Sequence, residues 1–345
     1  MSKEKIISGQ SPGGERVRLA EILPLETPYV VQIFPIYACN LKCNYCIFQL
    51  KKTGRGFISD KVSMGIDLYK KCIEDMTKFP QKIKVLRFVG IGEPLLHKNI
   101  TEMVEYAASK RIANTIEIIT NASLLTPRMS DSLIKAGLTR LVVSMQGTSA
   151  EKYQEVCGTK VDFDELLKNL LYFYSNKTST HVYVKIVNSA IEGEEDQQRF
   201  YDLFGNLCDS MAIEHTVPIH SGINYEKILS GNDAQFTQFG LPVSEVKICP
   251  QPFFTMQINP DGKVVPCYSF EYPKIVGNCN MQTPTDIWQS EQFQNFRRTM
   301  FEGIKNASDV CANCNIIKYR LFPEDDLSND AERLKKYYYK VPQNE

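Results

Sequence analysis

The sequence predicts an α/β fold, a partial (β/α)6 barrel followed by a small cysteine-rich α+β domain. Six apolar runs alternate with helical patterns between Val30 and Val217, and this alternation is typical of parallel βαβ units. After this region, cysteines surround one turn signal, "NPDG", that lies between two short apolar runs. The length of 345 residues and the hydrophobic content of 43% are sufficient for one large and one smaller domain.

The predicted strands are apolar over most of their length, as expected for strands that are buried on both faces of a sheet. They are residues 30–36, 83–90, 115–120, 139–145, 181–188 and 210–217. The helical patterns between them are residues 66–79, 100–110, 128–137, 162–174 and 194–208. Active-site residues of such barrels gather at the C-terminal ends of the strands, so we expect the chemistry in the segments that follow each strand.

The second domain is predicted from turn and helix signals. "NPDG" favours a hairpin turn, and "TPTDIWQSEQFQNFRRTMF" predicts one helix, with Thr283 as its N-cap and Pro284 at its first position. We expect five segments: a polar N-terminal extension (1–28), the barrel (29–218), a linker or lid (219–247), the cysteine-rich domain (248–320) and a helical C-terminal tail (321–345).

Charge and hydropathy exclude several classes of function. Lys plus Arg and Asp plus Glu both number 40, so no net charge favours nucleic acid or a membrane surface as a partner. The N-terminus is polar, and no apolar run approaches the roughly 18 residues of a membrane span. We therefore expect a cytoplasmic protein. In a reducing compartment, eleven cysteines favour metal ligands over disulfides.

The first cysteine group is "CNLKCNYC", in which Cys39, Cys43 and Cys46 follow the first predicted strand. A metal tetrahedron needs four ligands, so three thiolates leave one place open. The spacing alone permits coincidence, a zinc knuckle that borrows a distant ligand, or an iron–sulfur cluster.

Polar residues also follow the next three predicted strands. "GIGEP" brings Gly90 and Gly92, which lack a Cβ and allow a close backbone approach, and then the carboxylate of Glu93. Asn121 follows the third strand, and Ser144 ends the fourth. Each residue alone is explained equally well as part of a turn or cap, but together they place polar groups at one end of the barrel.

These two motifs, in this order on a βαβ background, resemble those of the radical S-adenosylmethionine (radical SAM) enzymes. The resemblance covers roughly Val30 to Cys314 and implies that Cys39, Cys43 and Cys46 hold a 4Fe–4S cluster. The open iron of that cluster then binds S-adenosylmethionine, which gives a 5′-deoxyadenosyl radical on reductive cleavage. An external electron donor such as flavodoxin or ferredoxin is part of the same expectation.

The resemblance also implies a set of cofactor contacts. Tyr45 is the aromatic residue beside the adenine, Glu93 accepts a hydrogen bond from the methionyl ammonium, and the strand-end residues contact the ribose or the carboxylate. The role of Gln146 stays open, because many relatives carry Asp at that position. The expected cofactor-binding residues are Tyr45, Gly92, Glu93, Asn121 and Ser144.

A second group of four cysteines lies in the C-terminal region. From spacing alone, these residues are compatible with a structural zinc site of four thiolates. The region resembles the SPASM/twitch extension, which implies an auxiliary 4Fe–4S cluster, and the number of cysteines favours the single-cluster twitch form. Cys279 is then a spare or alternative ligand. The four expected ligands are Cys249, Cys267, Cys311 and Cys314.

Two reaction outcomes follow from such a resemblance. A substrate radical beside oxygen or nitrogen gives up an electron readily after proton loss, so an auxiliary cluster favours net oxidation. Hydrogen return from a thiol gives epimerisation instead, and Cys157 or Cys279 is the candidate donor. Glu214 and His215, at the end of the sixth strand, are candidate bases, and His220 and Lys185 lie in the same region.

The expected substrate is a small polar metabolite of the sugar, aminocyclitol or nucleotide-sugar type. Only residues 1–28 precede the first strand, whereas peptide-modifying relatives often carry a whole N-terminal peptide-binding domain. Modification of a ribosomally made peptide is an alternative within the enzyme class. A zinc-stabilised binding protein on the same scaffold is the non-enzyme alternative.

Overall fold

The computed structural model describes residues 5–7, 16–51, 59–229, 231, 233–268 and 270–339. Within these residues the strands form one nine-stranded sheet. The strands are β1 Val30–Ile33, β2 Ile83–Phe88, β3 Ala113–Thr120, β4 Arg140–Met145, β5 His181–Val187, β6 Ser210–Glu214, β7 Thr255–Ile258, β8 Lys263–Val265 and β9 Gly277–Asn278. Their order in the sheet is β6-β5-β4-β3-β2-β1-β7-β8-β9. Strands β1 to β7 pair in parallel, and β8 and β9 add antiparallel pairs.

The helices alternate with the first six strands and then follow the hairpin. The helices of the barrel region are α1 Leu19–Ile22, α2 Ile66–Met76, α3 Ile100–Lys110, α4 Pro127–Lys135, α5 Ala150–Cys157, α6 Phe163–Asn176 and α7 Gly193–Phe204. Those after it are α8 Gln251–Phe254, α9 Pro284–Gln289, α10 Glu291–Phe301, α11 Ile304–Ala307, α12 Asp309–Ala312 and α13 Ala331–Tyr338. In the described part of the chain, no helix has the length and apolar character needed to cross a bilayer.

The six predicted strands and five predicted helices are confirmed, with small changes at their ends. Strand β6 ends at Glu214 rather than at residue 217, because the N–H of His215 already bonds the carbonyl of Gln238, 2.9 Å away. Helix α5 was not predicted from the sequence. Ser149 is its N-cap, and Gly158, which adopts the left-handed backbone conformation, follows its last residue.

The prediction of a single helix after Thr283 is wrong in one respect, because the structure has two consecutive helices there, α9 and α10. Thr283 caps α9 as predicted, and Pro284 lies in its first turn. The backbone of Ser290 then leaves the helical conformation, and its side chain accepts a hydrogen bond from the N–H of Phe293 to begin α10. A serine inside a helical pattern can cap a new helix through its side chain, and Ser290 does so here.

The cysteine-rich region is joined to the barrel by strand pairing. The predicted hairpin is present as β7 and β8, and β7 pairs in parallel with β1, with Val30 opposite Thr255. Tyr37 adds a second connection, since its hydroxyl donates to the Asn259 Oδ1, 2.6 Å away. The barrel sheet therefore continues into the C-terminal region.

The predicted terminal segments are only partly described. Ile6 forms a parallel bridge with Met211, at the outer edge of β6, and α13 lies within the predicted C-terminal tail. Residues 1–4, 8–15 and 340–345 of these two segments lie outside the described residues.

The two faces of the sheet differ in chemistry. Apolar side chains such as Ile33, Phe88 and Ile118 pack in the main hydrophobic core. The other face lines the barrel interior and carries Arg87 and Glu117, which lie next to each other in register. The interior is therefore a polar chamber, and it leads to the strand ends where the site is expected.

Candidate functional site

The loop with the first three cysteines lies at the C-terminal end of β1. Two backbone hydrogen bonds attach it to the end of α5: Lys42 N to the Cys157 carbonyl (3.3 Å) and Asn44 N to the Val156 carbonyl (2.8 Å). Burial raises the pKa of the Cys39 thiol to about 12, and the nearby charges of Glu93, Cys46 and Cys43 act in the same direction. Bound iron is the kind of partner that stabilises such thiolates, so this loop fits a cluster.

Gly92 lies where the two motifs touch. A Cβ on this residue would lie 2.3 Å from the carbonyl oxygen of Ile36 and 2.8 Å from that of Ala38. The N–H of Glu93 donates to the same Ala38 oxygen over 2.8 Å. The close approach that the glycine allows is therefore to the backbone of the cysteine loop, which explains why the two motifs occur together.

Glu93 is a buried carboxylate with three neutral hydrogen-bond donors. Its Oε1 accepts from Leu95 N (3.0 Å) and Thr120 Oγ1 (2.6 Å), and its Oε2 accepts from Asn121 N (2.8 Å). Burial raises the pKa of this carboxyl in spite of these three bonds. A nearby cation would offset the cost of burying the negative charge, so the position fits an ammonium group such as that of S-adenosylmethionine.

Asn121 connects the end of β3 to the cysteine loop. Its amide nitrogen donates to the Asn40 Oδ1 over 3.1 Å, and its oxygen accepts from Ser123 N (2.9 Å) and Ser123 Oγ (2.6 Å). This network holds Asn121 beside Cys39, whose Sγ is 4.0 Å from the amide nitrogen. The predicted cofactor residue is thus next to the predicted cluster.

Gln146 links Tyr45 to the end of β4 through two hydrogen bonds. It accepts a hydrogen bond from the Tyr45 hydroxyl and donates to the Ser144 carbonyl over 2.9 Å. It therefore fixes the ring of Tyr45, the predicted adenine neighbour, against the end of β4. This pairing could not be predicted from the sequence, because the two residues are far apart in the chain.

A cavity opens at the ends of β4, β5 and β6. Four of the predicted residues, Tyr45, Ser144, Glu214 and His215, border it, as does Lys185. Residues outside the barrel complete the wall, and these are Ile219, Gln238, Tyr268 and Arg320. The predicted linker and the C-terminal region therefore both contribute to this cavity.

Glu214 is engaged by three donors and is buried. Its Oε1 accepts from the Tyr183 hydroxyl (3.1 Å), and its Oε2 accepts from Lys185 Nζ (2.6 Å) and Gln238 Nε2 (2.6 Å). Both of its oxygens are therefore occupied by these donors. The arrangement makes Glu214 the partner that holds Lys185 at the cavity.

His215 is the better-placed candidate base. Its Nδ1 is 3.5 Å from Asp233 Oδ1, and its ring stacks on Phe236 with a centroid distance of 5.4 Å. A carboxylate beside one ring nitrogen stabilises the imidazolium that forms when the other nitrogen takes a proton. Asp233 was not identified from the sequence, because it lies in the long predicted linker. His220 borders a different cavity, beside Phe270.

The structure places Cys157 away from the cavity. Its side chain is fully buried, and its Sγ is 3.8 Å from the Sγ of Cys43. This thiol contact raises the pKa of Cys43, and burial raises it further. Cys157 therefore lies behind the cysteine loop and does not border the space expected for the substrate.

The four C-terminal cysteines line one apolar cavity. Burial raises the pKa of the Cys249 thiol, and the charges of Cys267, Cys314 and Cys311 add to that effect. Four thiolates around one cavity are the ligand set of a closed 4Fe–4S cluster and also of a structural zinc ion. Cys279 is buried elsewhere, in contact with Cys72.

Comparison with known proteins agrees with this geometry. A family model of the radical SAM superfamily matches residues 33–204, and a model of the SPASM iron–sulfur cluster-binding domain matches residues 249–315. The second match favours iron–sulfur chemistry over the zinc alternative.

Two curated relatives span most of the chain. The S-adenosyl-L-methionine-dependent 2-deoxy-scyllo-inosamine dehydrogenase of Niallia circulans is 25% identical over 285 residues, covering 80% of this chain and 88% of that protein. The tungsten-containing aldehyde ferredoxin oxidoreductase cofactor-modifying protein of Pyrococcus furiosus is 25% identical over 297 residues, covering 75% of this chain and 80% of that protein.

Solved structures share the fold. The crystal structure of BtrN in complex with AdoMet and 2-DOIA superposes with a TM-score of 0.54 at 21% identity, covering 83% of this chain and 92% of that one. Streptococcus suis SuiB bound to S-adenosylmethionine gives a TM-score of 0.60 at 16% identity, covering 87% and 74%. This chain belongs to the radical SAM superfamily and carries a SPASM domain, and it is an oxidoreductase that uses S-adenosylmethionine and 4Fe–4S clusters.

Proposed function

We propose that this enzyme dehydrogenates a small polar metabolite at a carbon that bears a hydroxyl or similar group. The supporting observation is the cavity in which Tyr45, from the cysteine loop, meets His215 and the Lys185–Glu214 pair. When bound, S-adenosylmethionine on the first cluster supplies the radical that takes one hydrogen atom, and the second cluster accepts the remaining electron. An external donor such as flavodoxin or ferredoxin provides the initial reducing electron.

The chain's own residues hold these groups in the proposal. Cys39, Cys43 and Cys46 bind the first cluster, and Glu93 binds the methionyl ammonium. Asn121, Ser144 and Tyr45 surround the rest of S-adenosylmethionine. The second cluster is bound by Cys249, Cys267, Cys311 and Cys314.

His215 takes the proton that oxidation releases. Asp233 stabilises the resulting imidazolium, because its carboxylate lies beside the opposite ring nitrogen. Lys185 donates a hydrogen bond toward the reacting oxygen while Glu214 keeps its ammonium in place. Residues of the barrel thus orient the substrate and move the proton.

The position of Tyr268 supports oxidation. It borders both the substrate cavity and the apolar cavity of the four cysteines. The two cavities therefore have Tyr268 in common, and in this proposal the electron passes from the substrate cavity to the cluster beside this side chain. Epimerisation requires a thiol at the substrate, and neither Cys157 nor Cys279 lines the cavity.

Products formed in deuterated water test the proposal. The anaerobic enzyme, with S-adenosylmethionine and dithionite, is incubated with a panel of sugars and aminocyclitols that includes 2-deoxy-scyllo-inosamine, the compound in the name of one relative. We expect 5′-deoxyadenosine and a product that has lost two hydrogens. The variant with Cys39, Cys43 and Cys46 all changed to Ala should form neither. A product of unchanged composition with one solvent deuterium at an inverted carbon would contradict dehydrogenation.

A further inference from the structure

The barrel interior holds an uneven set of charges. A second cavity shares five lining residues with the substrate cavity, and these are Lys185, Glu214, Gln238, Tyr268 and Arg320. Among the described residues that line the two cavities there are four Lys and Arg side chains and three carboxylates. The four are Arg16, Arg87, Lys185 and Arg320, and the three are Glu117, Glu214 and Asp325.

Each carboxylate is already paired with a cation other than Arg320. Glu117 is bound by Arg87 and also by Arg140, which is 3.3 Å away. Burial alone would raise the pKa of Glu117, but the charges of the two arginines lower it. Glu214 is bound by Lys185 over 2.6 Å.

The third carboxylate, Asp325, is bound by Arg16. Arg320 has no ion pair with any described residue, so no carboxylate of the two cavities neutralises its charge. This charge lies where the two cavities meet, because Arg320 lines both of them.

Arg320 is held in place by neutral groups. Its Nε donates to Gln238 Oε1 over 2.9 Å, and its guanidinium lies 4.8 Å from the ring centroid of Tyr268. Gln238 is itself fixed by its bond to Glu214, 2.6 Å away. The two terminal nitrogens make no hydrogen bond to a described residue. A guanidinium held in this way presents a flat pair of donors, the geometry that binds a carboxylate or phosphate through two parallel hydrogen bonds.

We infer that Arg320 binds an anionic oxygen group of the substrate, a carboxylate or a phosphate. This inference rests on the proposed function, because it takes the cavity at the ends of β4 to β6 as the substrate site. It narrows the proposed class of substrate from small polar metabolites in general to those that carry an acidic group. When the acidic group is bound by Arg320, one end of the substrate is fixed. Lys185 and His215 then lie at the other end, beside the carbon that is oxidised and its oxygen.

The carboxylate of S-adenosylmethionine is the competing ligand. Of the predicted cofactor residues, Glu93 and Asn121 line neither of the two cavities, whereas Tyr45 and Ser144 border the substrate cavity. Arg320 also lines the interior cavity, beside residues of the C-terminal region such as Tyr268 and Phe322. A cofactor-affinity measurement separates the two ligands.

The direct test measures protection of Arg320 from phenylglyoxal, which modifies accessible guanidinium groups. The holoenzyme, saturated with S-adenosylmethionine, is treated alone or with glucose, glucuronate or glucose 6-phosphate, and modified peptides are quantified by mass spectrometry. We expect glucuronate or glucose 6-phosphate to slow modification of Arg320 and glucose to leave it unchanged. The two anions distinguish a carboxylate site from a phosphate site. Arg128, an exposed residue of α4, is the internal control and should react equally in all samples.

Two variants complete the test. Arg320→Gln should weaken binding of the protecting anion about tenfold or more, since it removes a charged, paired hydrogen bond. Arg320→Lys keeps the charge without the paired donors and should give an intermediate loss. The affinity for S-adenosylmethionine should change less than twofold in both variants, and a loss as large as that for the anion would assign Arg320 to the cofactor and overturn the inference.

Protection needs no turnover, so its result is independent of whether the enzyme dehydrogenates its substrate. Equal modification of Arg320 with and without both anions would also overturn the inference. So would 5′-deoxyadenosine formation that is stimulated by neutral members of a sugar panel and not by their acidic counterparts.

Discussion

Changing Glu93 to Gln isolates the contribution of its charge to cofactor binding. The variant keeps the size and shape of the side chain in a site where Glu93 is only 2% exposed. In the wild type the Glu93 carboxylate and the methionyl ammonium are both charged, and the variant leaves the buried ammonium without its counter-charge, which costs about 2 kcal/mol or more. A loss of about 2 kcal/mol corresponds to about thirtyfold in affinity for S-adenosylmethionine.

The hydrogen bonds around Glu93 make the loss larger rather than smaller. Oε1 accepts two donors and Oε2 accepts one, so the amide oxygen of Gln is expected to take the Oε1 place. The amide NH2 then faces the N–H of Asn121 and the incoming ammonium, which are both donors. We therefore expect the weakening at or above about thirtyfold, together with a lower unfolding temperature.

Isothermal titration of the anaerobic, iron-loaded protein measures this effect. Glu105→Gln is the matched control, because it makes the same chemical change at an exposed position of α3 and should bind S-adenosylmethionine like the wild type. Iron content shows whether the first cluster is still assembled. An affinity of Glu93→Gln within twofold of the wild type, at equal iron content, would refute the assignment of Glu93 to the ammonium.

Three further predictions follow from the site. Burial raises the pKa of Glu93, and ammonium binding needs the ionised carboxylate. The affinity for S-adenosylmethionine should therefore fall as the pH drops from neutral toward that raised pKa. The same titration of Glu93→Gln should show no such fall. Gly92→Ala places a methyl group 2.3 Å from a carbonyl oxygen and should reduce the iron bound at the first cluster, whereas Gly65→Ala, which meets nothing within 4 Å, should keep the wild-type iron content. Cys157→Ala should retain substrate-dependent 5′-deoxyadenosine formation and product formation, and loss of product would instead support a hydrogen-donor role and epimerisation.

Local sequence patterns predicted most of the secondary structure, because they depend on neighbouring residues. Apolar runs of strand length and amphipathic helical patterns gave the first six strands and five of the helices between them. The cap at Thr283 and the turn at "NPDG" were predicted for the same reason. The division at Ser290 was not, since a serine in a helical pattern is compatible with both a continuous helix and a new cap.

Features that join distant parts of the chain were missed. The pairing of β7 with β1 brings Thr255 beside Val30, and no local pattern specifies which edge of a sheet a hairpin will join. The same holds for the bond between Tyr45 and Gln146 and for the placement of Asp233 beside His215. Single residue types could be chosen as candidates from the sequence, but their partners depend on the folded chain.

The continuous sheet explains how one scaffold can keep its chemistry and change its substrate. The barrel supplies the first cysteine loop, Glu93 and the strand-end residues, and all of these lie close to the cofactor end of the site. The substrate cavity is closed by Tyr268 and Arg320, which belong to the C-terminal region. Because β7 pairs with β1, these two residues are held at a fixed position relative to the barrel. On the inferred role of Arg320, a change at residue 320 should alter which end group of the substrate is bound and leave S-adenosylmethionine cleavage intact.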